Sequence, residues 1–94
     1  MSISFTSRVS VPPDVLISQV GGESVILNTS SERYFGLDEI GTSIWEVITS
    51  SDSIQAAFDR LLAEYDVEPT RLREDLNTLI EKLVDNGLLE VSGE

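Results

Sequence analysis

Residues 22–45, GESVILNTSSERYFGLDEIGTSIW, decide the fold of this chain. Two runs rich in β-branched and aromatic residues, 23–28 and 33–37, flank a polar turn, which predicts a pair of antiparallel strands. Asp38 then stands where a helix N-cap belongs, and apolar residues follow it at helical spacing. The stretch therefore predicts two strands that lead directly into a helix.

More strands are expected on the N-terminal side of this unit. The run 14–20 (DVLISQV) ends at a Gly-Gly pair, which is a hairpin signal, so a three-stranded antiparallel meander is predicted. Residues 3–11 alternate weakly before a Pro-Pro pair that stops any ladder. At the other end, residues 88–91 either add a short strand or pack back on the helices. A sheet of three strands keeps at least one open edge unless a terminal segment covers it.

The second half of the chain predicts three helices. They are expected over 39–49, over 54–65, and from Pro69 to a stop at Gly87. The order β-β-β-α-α-α predicts a single α+β domain over 1–94, with the helices gathered on one face of the sheet. Small arrangements of three strands and three helices are often winged-helix-like, which describes the architecture and does not decide the function.

The charge balance restricts the partners. The 94 residues include 6 basic and 17 acidic side chains, for a formal charge of −11. Such a surface repels nucleic-acid phosphates and anionic membranes, and it favours a positively charged partner. The alternative is that the acidity serves solubility alone. The third predicted helix is itself net acidic, which argues against insertion in a DNA groove. Because there is neither a span of roughly 20 apolar residues nor a secretory signal, a cytoplasmic protein is predicted.

Catalytic and metal chemistry is not expected. The chain has no cysteine and no histidine, which excludes thiolate and serine–histidine catalysis and the commonest transition-metal ligands. The closest carboxylate groups, at 38–39, 64–68 and 74–75, lack the glycine turn of a calcium loop and are interpreted as solvated acidic faces. We therefore predict no catalytic residue, no metal site and no cofactor.

The third strand carries the surface best suited to an interaction. Phe35 and Leu37 share one face with Arg33, while Tyr34 and Gly36 fall on the other. Phe35 and Leu37 are expected in the core. Gly36 weakens a strand, which indicates either a bulge or close approach by another backbone. Tyr34 offers an amphipathic ring that suits an interface.

The order and spacing of these features resemble the PqqD-like family, also called RiPP recognition elements. The matching features are a Gly-Glu hairpin, a strand ending Leu27-Asn28, a serine-rich turn, an aromatic strand ending Leu37-Asp38, Gly41 three residues before Ile44-Trp45, the run 62–67, Asp75 and the tail 86–89. The likeness covers residues 9–91. With Arg33-Tyr34-Phe35 in the third strand, the chain is most similar to the free-standing B1 proteins of lasso-peptide pathways.

This resemblance implies a function. Such proteins bind the N-terminal leader of a precursor peptide and deliver it to a maturation protease of the cysteine-protease type, and a separate ATP-dependent cyclase then closes the ring. The leader adds as a strand to the edge of the third strand, in a groove walled by the third helix. The residues expected to contact it are Arg33, Tyr34, Phe35, Gly36, Asp75, Leu76, Leu79, Lys82 and Leu83. For the leucines, plain core packing is the alternative.

Two other functions stay open at this stage. Within the family, the alternative is a PqqD-type peptide chaperone for a radical SAM enzyme in redox-cofactor biosynthesis. From a different class, it is an acidic winged-helix regulatory protein that acts through protein contacts. The extension 1–8 departs from the family, and its Phe5 is expected either to add a strand or to pair with another copy. The excess of negative charge suggests a lysine-rich leader, whose affinity should then fall with added salt.

Overall fold

Strands and helices occupy the two halves of the chain, as the sequence predicts. The computed structural model describes residues 3–92. In chain order its elements are β1 (Arg8–Ser10), β2 (Val15–Val20), β3 (Glu23–Asn28), β4 (Arg33–Leu37), α1 (Glu39–Ser50), α2 (Ile54–Glu64), α3 (Pro69–Asp85) and β5 (Glu90–Ser92). Three helices with a three-stranded antiparallel sheet confirm the predicted α+β class. No helix in this part of the chain is long and apolar enough to cross a membrane.

The strands β2, β3 and β4 form the predicted antiparallel meander, in that order. Gly21 and Gly22, with φ angles of 61° and 89°, make the two-residue turn of the first hairpin, where residues with a Cβ would be strained. The second hairpin keeps a continuous register through Gly36, which pairs with Val25. The bulge considered from the sequence is therefore absent, because no extra residue interrupts the ladder.

A second, two-stranded sheet joins the ends of the described chain, since β1 pairs with β5 in antiparallel register. Both possibilities for residues 88–91 are present in part, since Leu88 and Leu89 pack in the core and Glu90 and Val91 belong to β5. Only three residues of the weakly alternating segment 3–11 become a strand, because the carbonyls of Phe5 and Ser7 accept hydrogen bonds from the backbone N–H groups of Gln55 and Ile54 at the start of α2. The β1–β5 sheet is separate from β2–β4, so both edges of the meander stay unpaired within residues 3–92.

Phe5 does not add a strand. Its ring is buried in the core, 5.9 Å from the ring of Phe58 in an edge-on arrangement. The Arg73 guanidinium of α3 lies 4.3 Å from the Phe5 ring centre, within range of a cation–π contact. The ring therefore fixes the N-terminal segment to α2 and α3, and it contributes no strand.

The helix ends follow local chemistry that is visible in the sequence. The Asp38 side chain accepts from the Gly41 N–H at 2.8 Å to cap α1, and the Ser53 hydroxyl accepts from the Ala56 N–H at 3.0 Å to cap α2. Gly87, with a φ of 73°, ends the α3 region in a left-handed turn. These caps explain why the predicted helix boundaries agree closely with the observed ones.

The helices cover one face of the β2–β4 sheet. Ile26 of β3 and Leu37 of β4 point into this core, together with one polar pair. Ser24 Oγ and Thr42 Oγ1 lie 2.7 Å apart, and both residues are buried. The apolar core consists of Phe5, Val9, Val15, Ile26, Leu37, Trp45, Val47, Ile48, Ile54, Ala57, Phe58, Leu61, Leu72, Leu76, Ile80, Leu83, Leu88 and Leu89.

The buried hydroxyl pair predicts non-additive stability effects. Thr42→Val should lower the free energy of unfolding by about 1–3 kcal/mol, because it leaves the buried Ser24 hydroxyl without that partner. Adding Ser24→Ala should recover part of the loss, since both polar groups are then removed. Urea denaturation of the single and double variants measures the coupling. Strictly additive losses would contradict the proposed pairing.

Candidate functional site

The outer edge of β4 is one of the two open edges of the main sheet, since β2 and β4 are its terminal strands. Along β4, Arg33, Tyr34 and Gly36 are exposed, Phe35 is partly buried and Leu37 is buried. Phe35 packs against the core, whereas the Tyr34 side chain is 70 % exposed. The alternation predicted for this strand is therefore present, with Phe35 and Leu37 directed toward the helices and Tyr34 toward the other side.

The C-terminal end of α3 lies beside the start of β4. At 100° per residue, Asp75, Leu79 and Lys82 fall within an arc of about 60° on this helix, and Asn86 directly follows its last residue. Arg33 Nη1 donates to Asn86 Oδ1 at 3.4 Å, so the C-terminal end of this face is turned toward β4. We call the strip between the outer edge of β4 and the row formed by Asp75, Leu79, Lys82 and Asn86 the β4–α3 groove.

Each wall of the groove carries one partly buried apolar side chain. These are Leu79 on α3 and Phe35 on β4, and both pack against the core. Asp75 and Lys82 are exposed on either side of Leu79 along the helix. The Asp75 carboxylate forms an exposed ion pair with Arg71 at 3.6 Å. A segment in the groove would therefore contact apolar surface at the centre and charged groups at the ends.

Leu76 and Leu83 lie in the core beneath the groove, with 1 % and 0 % of their surface exposed. They fall on the α3 face that also carries Leu72 and Ile80, all of which are buried. The sequence left direct contact and core packing open for these two leucines. The structure places them in the core, so they support the groove wall from behind.

Gly36 has no conformational or packing requirement within the chain. Its φ is not positive, and a Cβ built there would meet nothing within 4 Å. Because the ladder has no bulge at this position, close approach by another molecule is the sequence-based interpretation that remains.

The face of the sheet away from the helices carries a second feature, which sequence reasoning missed. Leu16, Val20, Val25 and Tyr34 are 59 %, 77 %, 46 % and 70 % exposed and lie on this side together with Leu27, and we call them the outer sheet face. A shallow depression of about 380 Å³ opens beside Gly36. The run 15–20 (VLISQV) indicates this surface, because its apolar residues fall on both faces of the strand. In a sheet that is covered on one face only, the apolar residues of the other face stay exposed.

The electrostatics of the groove differ from those of the whole chain. Arg33 and Lys82 flank Asn86, whose Nδ2 donates to the Lys82 carbonyl at 2.8 Å. Two basic residues therefore occur at this end of the groove, next in sequence to Glu32 and close to Asp85, although the formal charge of the chain is −11. Within residues 3–92 there is no group of three or more His, Cys, Asp or Glu side chains that could hold a metal ion.

The difference in burial between Leu79 and Leu83 predicts different stability effects. Leu83→Ala should lower the free energy of unfolding by about 3–5 kcal/mol, because it opens a cavity in a fully buried site. Leu79→Ala should lower it by about 1–2 kcal/mol, since part of its side chain is in water. Urea denaturation measures both. A Leu79→Ala loss as large as that of Leu83→Ala would show that Leu79 belongs to the core and not to the groove.

Comparison with known proteins agrees with this architecture. The family model for coenzyme PQQ synthesis protein D (PqqD) matches residues 23–89. The fold is similar to the solved structure "TbiB1 in Complex with the TbiA(beta) Leader Peptide", with a TM-score of 0.80 and 27 % identity over 90 % of this chain and 99 % of that one. It is also similar to "Lasso peptide synthetase B1 complexed with the leader peptide", with a TM-score of 0.77 and 24 % identity over 88 % and 98 % of the two chains. No curated protein shows significant similarity in sequence.

Proposed function

The chain belongs to the PqqD family, and we propose that it binds the leader segment of a ribosomally made precursor peptide by adding that segment as a strand to the edge of β4. The observation that carries this proposal is the unpaired edge of β4 beside the α3 face. Both similar solved structures are complexes with a leader peptide. In this role the chain recognises the peptide and performs no chemistry on it.

Strand addition accounts for both affinity and selectivity. The free N–H and C=O groups of an edge strand give sequence-independent hydrogen bonds, and pockets for alternate side chains discriminate between peptides. A leader that is disordered when free loses conformational entropy on binding, so apolar anchors have to offset that loss. Phe35 and Leu79 supply such anchors on the two walls of the groove. Leu76 and Leu83 contribute indirectly, because they hold the α3 wall in place.

We further propose that the bound leader is delivered to a maturation protease of the cysteine-protease type in lasso-peptide biosynthesis, with a cyclase acting afterwards. Delivery requires a second surface that stays accessible while the groove is occupied. The outer sheet face meets this requirement, since its apolar side chains are exposed on the side of the sheet away from the helices. A leader strand beside β4 would widen this face by one strand, so a docked protease would contact the leader and the sheet together.

The chemistry of the protease surface follows from the outer sheet face. Its centre is apolar, and the depression beside Gly36 accepts a protruding side chain. Glu23 and Asp38 border the depression. We therefore expect an apolar patch on the protease with Lys or Arg at its border, because opposite charges at the rim of an interface favour the correct partner.

A PqqD-type chaperone for a radical SAM enzyme is the second candidate, favoured by the description of the matching family. It would use the same groove, so only the enzyme that responds to the complex distinguishes the two functions. The acidic winged-helix regulator is less well supported, because a regulator that acts through protein contacts alone has no need of the groove.

Leader binding is tested by fluorescence anisotropy with a labelled leader peptide from the precursor gene beside this one. A scrambled peptide of equal charge is the control. Leu79→Lys should weaken binding at least about tenfold, since it replaces an apolar anchor in the groove by a charge. Val84→Lys is the matched variant, because Val84 is also partly exposed on α3 but lies on the opposite side of the helix from the groove. Equal loss in both variants would count against the groove.

Delivery is tested with Val25→Lys, which places a charge in the outer sheet face. Leader affinity should stay within about twofold of the wild type, while leader removal by the partner protease should slow at least about tenfold. Val67→Lys, at an exposed apolar residue between α2 and α3, is the matched control. Normal cleavage with Val25→Lys would rule out the outer sheet face as the protease surface.

A further inference from the structure

The side chain of Asn28, the last residue of β3, makes hydrogen bonds in two directions. Its Oδ1 accepts from the backbone N–H groups of Ser30 and Ser31 at 2.9 and 3.0 Å, which shapes the turn between β3 and β4. Its Nδ2 donates to the Gly87 carbonyl at 2.7 Å, across 59 positions of sequence. One amide therefore connects the turn that starts β4 with the residue that follows α3.

This connection lies at the same end of the β4–α3 groove as the bond between Arg33 and Asn86. Arg33 begins β4, and Asn86 and Gly87 directly follow α3. Two hydrogen bonds thus join the two walls where β4 begins and α3 ends. The Arg33 bond is long, at 3.4 Å, and involves an exposed flexible side chain, so the Asn28 bond is the stronger of the two.

The turn around Asn28 packs closely against the end of α3. Glu32 has a φ of 63°, a left-handed conformation that is uncommon for a residue with a Cβ, and its N–H donates to the Asn28 carbonyl at 2.8 Å. A Cβ placed on Gly87 would lie 3.2 Å from Asn28 Nδ2. A side chain at position 87 would therefore crowd the Asn28 amide, so the turn and the end of α3 approach each other closely at this point.

We propose that Asn28 is a positioning residue for the peptide-binding groove, because its Nδ2 bond to Gly87 fixes the spacing between the edge of β4 and α3. This inference rests on the proposed function. An added strand has to lie about 4.8 Å from β4 for its ladder bonds, while its side chains reach the α3 wall. A groove held at that spacing before the peptide arrives binds more tightly, because less ordering remains to be done on association.

The two roles of Asn28 are separable by substitution. Asn28→Asp keeps the oxygen that accepts from Ser30 and Ser31, but it replaces the donor that bonds Gly87 by a second acceptor. The turn should therefore persist while the bond to the end of α3 is lost. Thr29→Val is the matched control, because the Thr29 hydroxyl joins the same turn to the Asp14 carbonyl at 2.9 Å, just before β2 and not at α3.

The first measurement is the affinity for the labelled leader by fluorescence anisotropy, with a thermal melt of each variant alongside. We expect Asn28→Asp to weaken binding about tenfold and Thr29→Val to change it less than about twofold, even where the two melt at similar temperatures. Equal affinity for Asn28→Asp and the wild type overturns the inference. So does a loss of affinity in Thr29→Val that matches the Asn28→Asp loss, because turn stability alone would then explain both.

The second measurement reports the spacing directly. The chain has no cysteine, so Val25→Cys on β3 and Thr78→Cys on α3, both at exposed positions, introduce two spin labels without background. Pulsed electron–electron double resonance should give a broader distribution of the distance between the two labels for Asn28→Asp than for the protein with Asn28. Saturating leader peptide should narrow this distribution again. An unchanged distribution overturns the inference. If the wild type does not bind the leader, the proposed function fails. The distance distributions of Asn28→Asp and the wild type without peptide then decide whether Asn28 sets the spacing.

Discussion

Burial of one face of the β2–β4 sheet under the helices is the constraint on which the rest of the structure depends. Ile26 and Leu37 point into the core, and the strict alternation of a strand then directs Tyr34 and Gly36 to the opposite side. Strands β1 and β5 pair with each other, so nothing within residues 3–92 pairs with the outer edge of β4. The proposed binding edge therefore follows from how the core is covered, since an antiparallel sheet tolerates water on its second face.

The long helix α3 stabilises the core and forms a wall of the groove at the same time. Its buried stripe and its groove-facing stripe are adjacent on the helix, so Leu79 lies at the border between them. Such an arrangement couples stability to recognition, because a change in the core stripe also shifts the groove wall. The amide of Asn28 acts at the end of this helix, where a small displacement would tilt the whole wall. Groove geometry is thus determined by contacts that the peptide itself never makes.

Local signals in the sequence were sufficient for the elements and insufficient for the contacts between them. The Gly-Gly hairpin, the Asp38 and Ser53 caps and the Pro69 start all depend on neighbouring residues, so the meander and the helices could be predicted. Which leucines of α3 face the groove depends on how the helix is rotated against the sheet, and the sequence could not separate Leu79 from Leu83. Pairing of β1 with β5 and the Asn28 bond span most of the chain, so no local pattern could predict them.

The charge of the chain acts at two distances. A formal charge of −11 steers a basic partner over a Debye length of roughly 8 Å at physiological salt, and this long-range field motivates the expectation of a lysine-rich leader. Contact in the proposed groove is decided at shorter range, where Arg33 and Lys82 would meet the peptide at the Asn86 end and Asp75 lies toward the other end of α3. A leader with lysines spread evenly would be attracted from solution and then meet Arg33 and Lys82 at one end of the groove. We therefore expect a peptide of uneven charge to bind best, with its basic residues near Asp75 and acidic or neutral residues near Arg33.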